Sequence, residues 1–183
     1  MKIRIHKIIT GSCANGPGIR NVVWFQGCTL SCPGCFNPQT HDPKGGRALS
    51  VKALCDQLLS PEAPCDGITI SGGEPFQQAE ALQKLLAEIK TRSALPVLIF
   101  SGYTYDHLKS SAVCSGCLPF TDVLICGSYD RNIPPDHDRF CSSGNQELVL
   151  LSDYYTKKDF KNLPLGEYFL DNQGKIIISG INP

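Results

Sequence analysis

Hydrophobic and polar positions follow two different periods along this chain, and each change of period marks a change of element. Charged residues alternate with isoleucines over Lys2 to Ile9, which predicts a first strand. The β-branched and aromatic run Asn21 to Gln26 predicts a second. After Ser50, which suits a helix N-cap, apolar residues recur every three or four positions up to Leu59. The opening third therefore predicts two strands followed by a helix.

The rest of the chain continues this alternation. A longer amphipathic helix is predicted over Gln77 to Arg92, with leucines and an isoleucine on one face. Residues 38–47 and 127–146 are predicted to be long polar loops. The other predicted elements are strands at Gly67 to Ser71, Val97 to Ser101, Asp122 to Cys126 and Glu147 to Leu151, a short helix at Tyr105 to Ser110, and a hairpin of Glu167 to Asp171 and Lys175 to Ser179 around Asn172-Gln173-Gly174.

Strands followed by helices imply parallel pairing with right-handed crossovers. There are too few such units for a closed eight-fold barrel. We therefore predict an α/β fold, a partial (β/α) barrel with mostly parallel strands, in which residues 1–183 form a single domain. In such architectures active groups lie on loops at the carboxyl ends of the strands.

Charge and cysteine content limit the binding partners and the cell compartment that the sequence predicts. Lys plus Arg and Asp plus Glu are 17 each, so no net field favours nucleic acid or an anionic membrane surface. No apolar stretch is long enough to predict a membrane span, and no apolar core of a signal peptide is recognised. The 10 cysteines are then expected in a reducing compartment rather than in a disulfide framework, which predicts a cytoplasmic protein.

Three of the cysteines carry the main chemical signal. Cys28, Cys32 and Cys35 form a C-x3-C-x2-C loop, one ligand short of a closed zinc tetrahedron. Three thiolates on one tight loop suit a 4Fe–4S cluster whose fourth iron stays open to a substrate or cofactor. A zinc site completed by His41, or buried free cysteines, are the alternatives.

Two further groups of residues have a functional and a structural interpretation. In Ser71-Gly72-Gly73-Glu74-Pro75 the glycines allow a close approach to a ligand and Glu74 offers a carboxylate; the alternative is an ordinary turn with Glu74 in the first turn of a helix. The second group is Cys114, Cys117, Cys126 and Cys141, either a second metal site or, for Cys126 at least, buried core.

Seven motifs, in order, resemble those of the radical S-adenosylmethionine enzymes. The resemblance is strongest to the activating proteins of anaerobic ribonucleoside-triphosphate reductase, a family of glycyl-radical-enzyme activases. The motifs span nearly the whole chain: Asn15-Gly16-Pro17-Gly18-Ile19-Arg20, Cys32-Pro33-Gly34-Cys35-Phe36-Asn37, Ile70-Ser71-Gly72-Gly73-Glu74-Pro75-Phe76, Phe100-Ser101-Gly102-Tyr103-Thr104, Asp122-Val123-Leu124-Ile125, Ser142-Ser143-Gly144-Asn145-Gln146 and Ile178-Ser179-Gly180.

The resemblance implies two cofactors, a 4Fe–4S cluster on Cys28, Cys32 and Cys35 and S-adenosylmethionine on its open iron. It places Gly34, Cys35 and Phe36 near the adenine, the segment Ser71, Gly72, Gly73 and Glu74 at the amino group, and the segment Gly127-Ser128-Tyr129 near the ribose. Two departures stand out. Gly34 occupies a position where many members of the superfamily have an aromatic residue, and Cys126 one where relatives often have an acidic residue.

The implied activity is reductive cleavage of S-adenosylmethionine to a 5′-deoxyadenosyl radical, which removes a hydrogen from a glycine of a partner enzyme. The implied partner is the anaerobic ribonucleoside-triphosphate reductase, and the implied electron donor is a flavodoxin or ferredoxin. No catalytic side chain is expected beyond the cluster and cofactor. The alternatives are a radical enzyme acting on a small molecule or a different peptide, and a non-catalytic zinc or electron-transfer protein.

The loop at Gly16-Pro17-Gly18 has two interpretations. It is either a tight turn between the first two strands or, by the resemblance, a loop near the mouth of the active site with Arg20 facing a partner or a carboxylate.

Overall fold

A computed structural model describes residues 1–170, 173, 174 and 176–181. Its helices and strands are β1 (Lys2–Ser12), β2 (Arg20–Phe25), β3 (Arg47–Ser50), α1 (Val51–Leu58), β4 (Gly67–Gly72), α2 (Ala79–Arg92), β5 (Val97–Ser101), α3 (Tyr105–Ser110), β6 (Val123–Cys126), β7 (Glu147–Leu150), β8 (Gly166–Leu170) and β9 (Ile176–Gly180). Short 3-10 helices lie at Pro38–Thr40, Pro75–Gln78, Ser115–Phe120, His137–Arg139 and Lys157–Phe160.

A 7-stranded mixed sheet in the order β3-β1-β2-β4-β5-β6-β7 forms the centre of the fold. Strands β2, β4, β5 and β6 are parallel, as predicted. At the two sides of the sheet β1 pairs antiparallel with β2 and β3, and β7 antiparallel with β6, which the prediction of mostly parallel strands left unspecified. The connection from β1 to β2 is a short loop, and a parallel pair needs a crossover of a dozen residues or more.

The predicted elements agree with the structure except at a few ends. Ser50 is the N-cap of α1, and its hydroxyl accepts a hydrogen bond from the Ala53 N–H at 3.0 Å. The helix predicted from Gln77 begins as α2 at Ala79, because a 3-10 turn starting at Pro75 precedes it. Strand β3 extends beyond the predicted loop at residues 38–47 and was not predicted.

The two faces of the sheet are covered differently. Helices α1 and α2 pack against one face and bury the largest apolar cluster. On the other face, Phe169 and Ile177 of the β8–β9 hairpin pack against Trp24, which confirms the predicted hairpin. Asn172 of its predicted turn and the predicted strand ends Asp171 and Lys175 lie outside the described residues. Within the described part of the chain, no helix has the length and apolar character needed to cross a bilayer.

Arg20 is buried inside the fold rather than placed at an active-site mouth. Its side chain is 0% exposed and donates hydrogen bonds to the Ile68 carbonyl at 2.6 Å, the Tyr155 hydroxyl at 2.9 Å and the Thr69 hydroxyl at 3.0 Å. Burial lowers the pKa of its guanidinium. The cysteine loop follows the carboxyl end of β2, whereas Arg20 is the first residue of that strand. The loop and Arg20 therefore lie at opposite ends of β2. The mouth interpretation of Arg20 is therefore wrong.

Replacing Arg20 should consequently destabilise the fold. Arg20→Ala removes the donors to the Ile68 carbonyl and leaves a cavity, so the free energy of unfolding should fall by about 3 kcal/mol or more. Urea titration of the cluster-free protein measures this. Arg47→Ala, an exposed arginine of β3, is the matched control and should change stability by less than about 0.5 kcal/mol. Equal effects of the two variants would contradict the structural role of Arg20.

Candidate functional site

The two sequence motifs meet at the carboxyl ends of adjacent parallel strands. The cysteine loop follows β2, Ser71 to Glu74 completes and follows β4, and Phe25 pairs with Gly72. Beyond that pair, the Gly73 N–H donates to the Phe25 carbonyl at 2.9 Å and the Glu74 N–H donates to the Gly27 carbonyl at 3.0 Å. The backbone of one motif therefore holds the start of the other.

The two glycines of β4 and its turn are required by this contact. Gly72 has φ +109°, and a Cβ there would lie 2.4 Å from the Phe25 nitrogen. A Cβ on Gly73 would lie 2.4 Å from the Gly27 carbonyl oxygen. The sequence interpretation assigned the glycines to the approach of a ligand, whereas in the structure they allow the approach of the cysteine loop.

One cavity at this edge collects most of the predicted site residues. It is lined by the three cysteines, the β4 turn and the ends of β5 and β6: Cys28, Leu30, Cys32, Cys35, Phe36, Asn37, His41, Ser71, Gly72, Gly73, Glu74, Phe100, Ser101, Gly102, Gly127, Tyr129, Ser142 and Gln146. The predicted residues Gly34 and Ser128 are exposed and do not line it. The lining also includes residues to which the sequence interpretation gave no role in a site, among them Leu30, Phe100 and Gln146.

An aromatic pair forms the outer wall of the cavity. The rings of Phe36 and Tyr129 lie 4.8 Å apart between centroids and are tilted by 45°. Close by, the Arg131 side chain covers Gly34, whose backbone has φ +75°; a Cβ at Gly34 would lie 2.6 Å from the Arg131 Cδ. The aromatic residue common at this position in the superfamily would be strained by this φ and would require the Arg131 side chain to move. Tyr129, which was expected near the ribose together with Gly127 and Ser128, thus lies beside Phe36 in the cavity lining.

Gln146 reaches the cavity because the loop at residues 127–146 folds back on itself. Its side-chain amide donates to the Gly127 carbonyl at 3.0 Å and accepts from the Ser143 N–H at 3.2 Å. Arg139 secures the same segment by donating to the Gly144 carbonyl at 2.8 Å and the Gln146 carbonyl at 2.9 Å. The motif Ser142 to Gln146 was recognised in the sequence, but its distance from the cysteines gave no sign of this contact.

The cysteine loop surrounds its thiols with backbone donors. The Asn37 N–H donates to the Cys35 sulfur at 3.4 Å. Burial raises the pKa of Cys28 and of Cys35, while amides of Leu30 and Ser31 oppose this at Cys28. Hydrogen bonds to sulfur are among the features that tune iron–sulfur clusters. The loop therefore supplies both the thiols and the amide environment that such a cluster requires.

The spacing of the thiols favours a cluster over a single ion. Among the described residues, no three His, Cys, Asp or Glu side chains are grouped closely enough to hold one metal ion. Ligands to different irons of a cubane lie farther apart than ligands to one zinc. Cys28, Cys32 and Cys35, which line one cavity without forming a single-ion site, thus fit a 4Fe–4S cluster better than zinc with His41.

The second cysteine group does not form a site. Cys114, Cys117 and Cys126 are buried in the cluster under the helices, whereas Cys141 belongs to the separate cluster on the other face. Burial raises the pKa of Cys117 and Cys126 to about 12 and that of Cys141 to about 11, which keeps these thiols protonated. Of the two interpretations left open for this group, the structure favours buried core, because these thiols pack as small apolar groups.

Glu74 lies at the centre of the site and is 1% exposed. Its carboxylate accepts hydrogen bonds from the Gly102 N–H at 2.7 Å, the Ser101 hydroxyl at 3.0 Å and the Phe76 N–H at 3.0 Å. It therefore caps the 3-10 turn after β4 and ties this turn to the end of β5. Burial raises its pKa to about 7, although the three donors favour the charged form.

Comparison with known proteins identifies the group to which this site belongs. The family model of the 4Fe-4S single cluster domain matches residues 14–149, which include the three cysteines and all of the cavity lining. The chain belongs to this family. The membership, together with the relatives below, confirms the resemblance to glycyl-radical-enzyme activases and the expected 4Fe–4S cluster.

Three relatives show how far the similarity extends. The chain is 40% identical over 126 residues to pyruvate formate-lyase-activating enzyme of Clostridium pasteurianum, covering 67% of this chain and 50% of that enzyme. It is 30% identical over 151 residues to the anaerobic ribonucleoside-triphosphate reductase-activating protein of Enterobacteria phage T4, covering 79% of this chain and 92% of the phage protein. For pyruvate formate-lyase-activating enzyme of Listeria monocytogenes, identity is 37% over 162 residues, with coverages of 85% and 64%.

The chain thus spans about half the length of the clostridial enzyme but nearly all of the phage protein.

Substitution of Gly73 tests the backbone contact between the two motifs. Gly73→Ala forces the β4 turn away from the Gly27 carbonyl, so the free energy of unfolding should fall by about 2 kcal/mol. The displaced loop should also hold less than about half of the iron and sulfide that the wild type binds after anaerobic reconstitution. Gly116→Ala is the control, because its new Cβ meets only the flexible Gln83 amide. Normal iron binding by Gly73→Ala would contradict this account.

The pKa of Glu74 predicts a pH dependence of stability. Its value rises from 4.5 to about 7 on folding, so the unfolded chain releases this proton first as the pH increases. Between these values the reduced, cluster-free protein should lose about 3 kcal/mol of unfolding free energy from this group. Urea titrations at pH 5 and pH 8 measure the loss, which Glu74→Gln should remove and Glu62→Gln, an exposed control, should retain. An unchanged loss in Glu74→Gln would refute the assignment.

Proposed function

We propose that this protein is a radical S-adenosylmethionine oxidoreductase that activates a glycyl-radical enzyme. The observation that carries the proposal is the single cavity shared by the three thiols of the cysteine loop and the turn at Ser71 to Glu74. The names of the relatives, which are activating enzymes or an activating protein, support it.

In this proposal Cys28, Cys32 and Cys35 would hold the 4Fe–4S cluster, and S-adenosylmethionine would bind beside it in the same cavity. When bound, the cluster and S-adenosylmethionine supply a one-electron cleavage of a carbon–sulfur bond, giving methionine and a 5′-deoxyadenosyl radical that takes a hydrogen from a glycine. The protein's own task is to orient these groups and to exclude water.

The lining residues suit this task. Ser71, Gly72 and Gly73 present backbone at the cavity, and the Glu74 carboxylate favours the nearby ammonium group of the cofactor. The aromatic wall of Phe36 and Tyr129 suits an adenine ring.

The positions of Cys35, Gly34 and Gly127 make the proposed contacts with the cofactors more specific. Cys35 combines iron binding with a place beside the adenine wall, and Gly34 contributes the turn that allows both. Gly127, which lines the cavity, is the better candidate for a ribose contact than the exposed Ser128.

We further propose the anaerobic ribonucleoside-triphosphate reductase as the partner, because alignment covers 92% of the phage activating protein. A pyruvate formate-lyase type of partner is the second candidate, favoured by the 40% identity to the clostridial enzyme. Reduced flavodoxin or ferredoxin is the proposed electron donor in a cytoplasmic setting. We also propose that the open sheet is a partial (β/α) barrel formed by one domain over residues 1–183.

The test is anaerobic reconstitution with iron and sulfide, followed by dithionite and S-adenosylmethionine. Wild-type protein should form 5′-deoxyadenosine, and Cys32→Ala should form none because the cluster loses one of its three thiolate ligands. Cys65→Ala, a half-buried cysteine outside the cavity, should retain the activity.

The partner is then identified by adding each candidate glycyl-radical enzyme and recording the glycyl radical by electron paramagnetic resonance. A fully loaded cluster that yields no 5′-deoxyadenosine would contradict the proposed function. Turnover that leaves no radical on either polypeptide would support action on a small molecule or another peptide instead.

A further inference from the structure

A second groove lies beside the cluster cavity and shares two residues with it. This groove, the Lys7 groove, is lined by Lys7, Trp24, Phe36, Asn37, Gln39, Ile178, Ser179 and Gly180. Phe36 and Asn37 line the cluster cavity as well. A ligand lying in the Lys7 groove is therefore within reach of the cavity along one continuous surface.

Lys7 places a positive charge in this groove. Its ammonium lies 4.5 Å from the centre of the Trp24 ring, and burial lowers its pKa. Among the residues that the structure describes, Lys7 forms no ion pair, whereas the other partly buried lysine, Lys90, lies 2.6 Å from the Asp122 carboxylate. A partly desolvated ammonium without an anion is a ready site for a carboxylate.

The far wall of the groove is a strand edge. Strand β9 pairs with β8 on one side, and no other strand of the described chain pairs with it on the other. Such an edge offers its backbone groups to an additional extended segment. The free edge thus favours a polypeptide over a small anion.

The outward face of the hairpin supports the same conclusion. Tyr168, Leu170, Ile176 and Ile178 are 74%, 75%, 60% and 46% exposed, and they form two cross-strand pairs on one face. Ile178 also lines the groove, so the apolar strip continues directly from it. An exposed apolar strip beside a functional cavity is typical of a protein contact surface.

We propose that the Lys7 groove binds an extended, acidic segment of the partner enzyme, with a carboxylate on the Lys7 ammonium and the backbone beside β9. The segment would then enter the cluster cavity past Phe36. The inference rests on the proposed function, because it supplies the route by which a partner's glycine reaches the cofactor.

The single tryptophan of the chain reports on this groove. The probe is a nine-residue synthetic peptide with a central glycine and two aspartates, compared with the same peptide carrying asparagines. Trp24 fluorescence of the reconstituted protein should change saturably with the acidic peptide, and the dissociation constant of the asparagine peptide should be about tenfold higher. Lys7→Gln should raise the constant for the acidic peptide by a similar factor and leave that for the asparagine peptide unchanged.

Lys84→Gln is the matched control, because Lys84 is exposed on α2 and its substitution removes the same charge far from the groove. Three results would each overturn the inference. They are equal binding of the two peptides, equal binding of the acidic peptide by Lys7→Gln and wild type, and the absence of a saturable fluorescence change with either peptide. Formation of 5′-deoxyadenosine by the wild type without peptide is measured in parallel. Its absence would refute the proposed function, while the fluorescence titration still decides whether the groove binds the acidic peptide.

Discussion

Two backbone hydrogen bonds, from Gly73 to the Phe25 carbonyl and from Glu74 to the Gly27 carbonyl, join the turn after β4 to the start of the cysteine loop. The rest of the site depends on this contact, because it fixes where the thiols stand relative to the cavity. It is possible only without side chains at residues 72 and 73, where a Cβ would strike backbone atoms of the neighbouring strand end. A loop that must hold a cluster is thus positioned by main chain, which has fewer alternative conformations than side chains.

Glu74 extends this arrangement to the next strand. Its buried carboxylate accepts from Ser101 and Gly102 at the end of β5 as well as from Phe76 in its own turn. A carboxyl group kept from water in this way is costly when charged, as its raised pKa shows. A cationic group bound nearby would offset that cost, so the same residue links the architecture of the site to the charge of the proposed cofactor.

The amino ends of the parallel strands are stabilised by another buried polar group. Arg20 satisfies carbonyl and hydroxyl oxygens at the amino ends of the parallel strands, far from the cysteine loop. The two ends of the parallel strands therefore have different roles. At the amino ends a buried cation stabilises the fold, and at the carboxyl ends thiols and backbone groups face a cavity. This division follows the general rule that functional groups collect at the carboxyl ends of parallel strands.

Local sequence patterns determined much of this protein. The period of apolar residues predicted most strands and helices. Residue types at particular positions predicted the Ser50 cap, the cysteine loop and the turn at Ser71 to Glu74. Each of these features depends on neighbours within a few residues. The antiparallel edges, the burial of Arg20 and the entry of Gln146 into the cavity were decided only by tertiary structure. Those features depend on which strands become neighbours and on how the loop at residues 127–146 folds back, and such contacts between distant residues leave no periodic trace in the sequence.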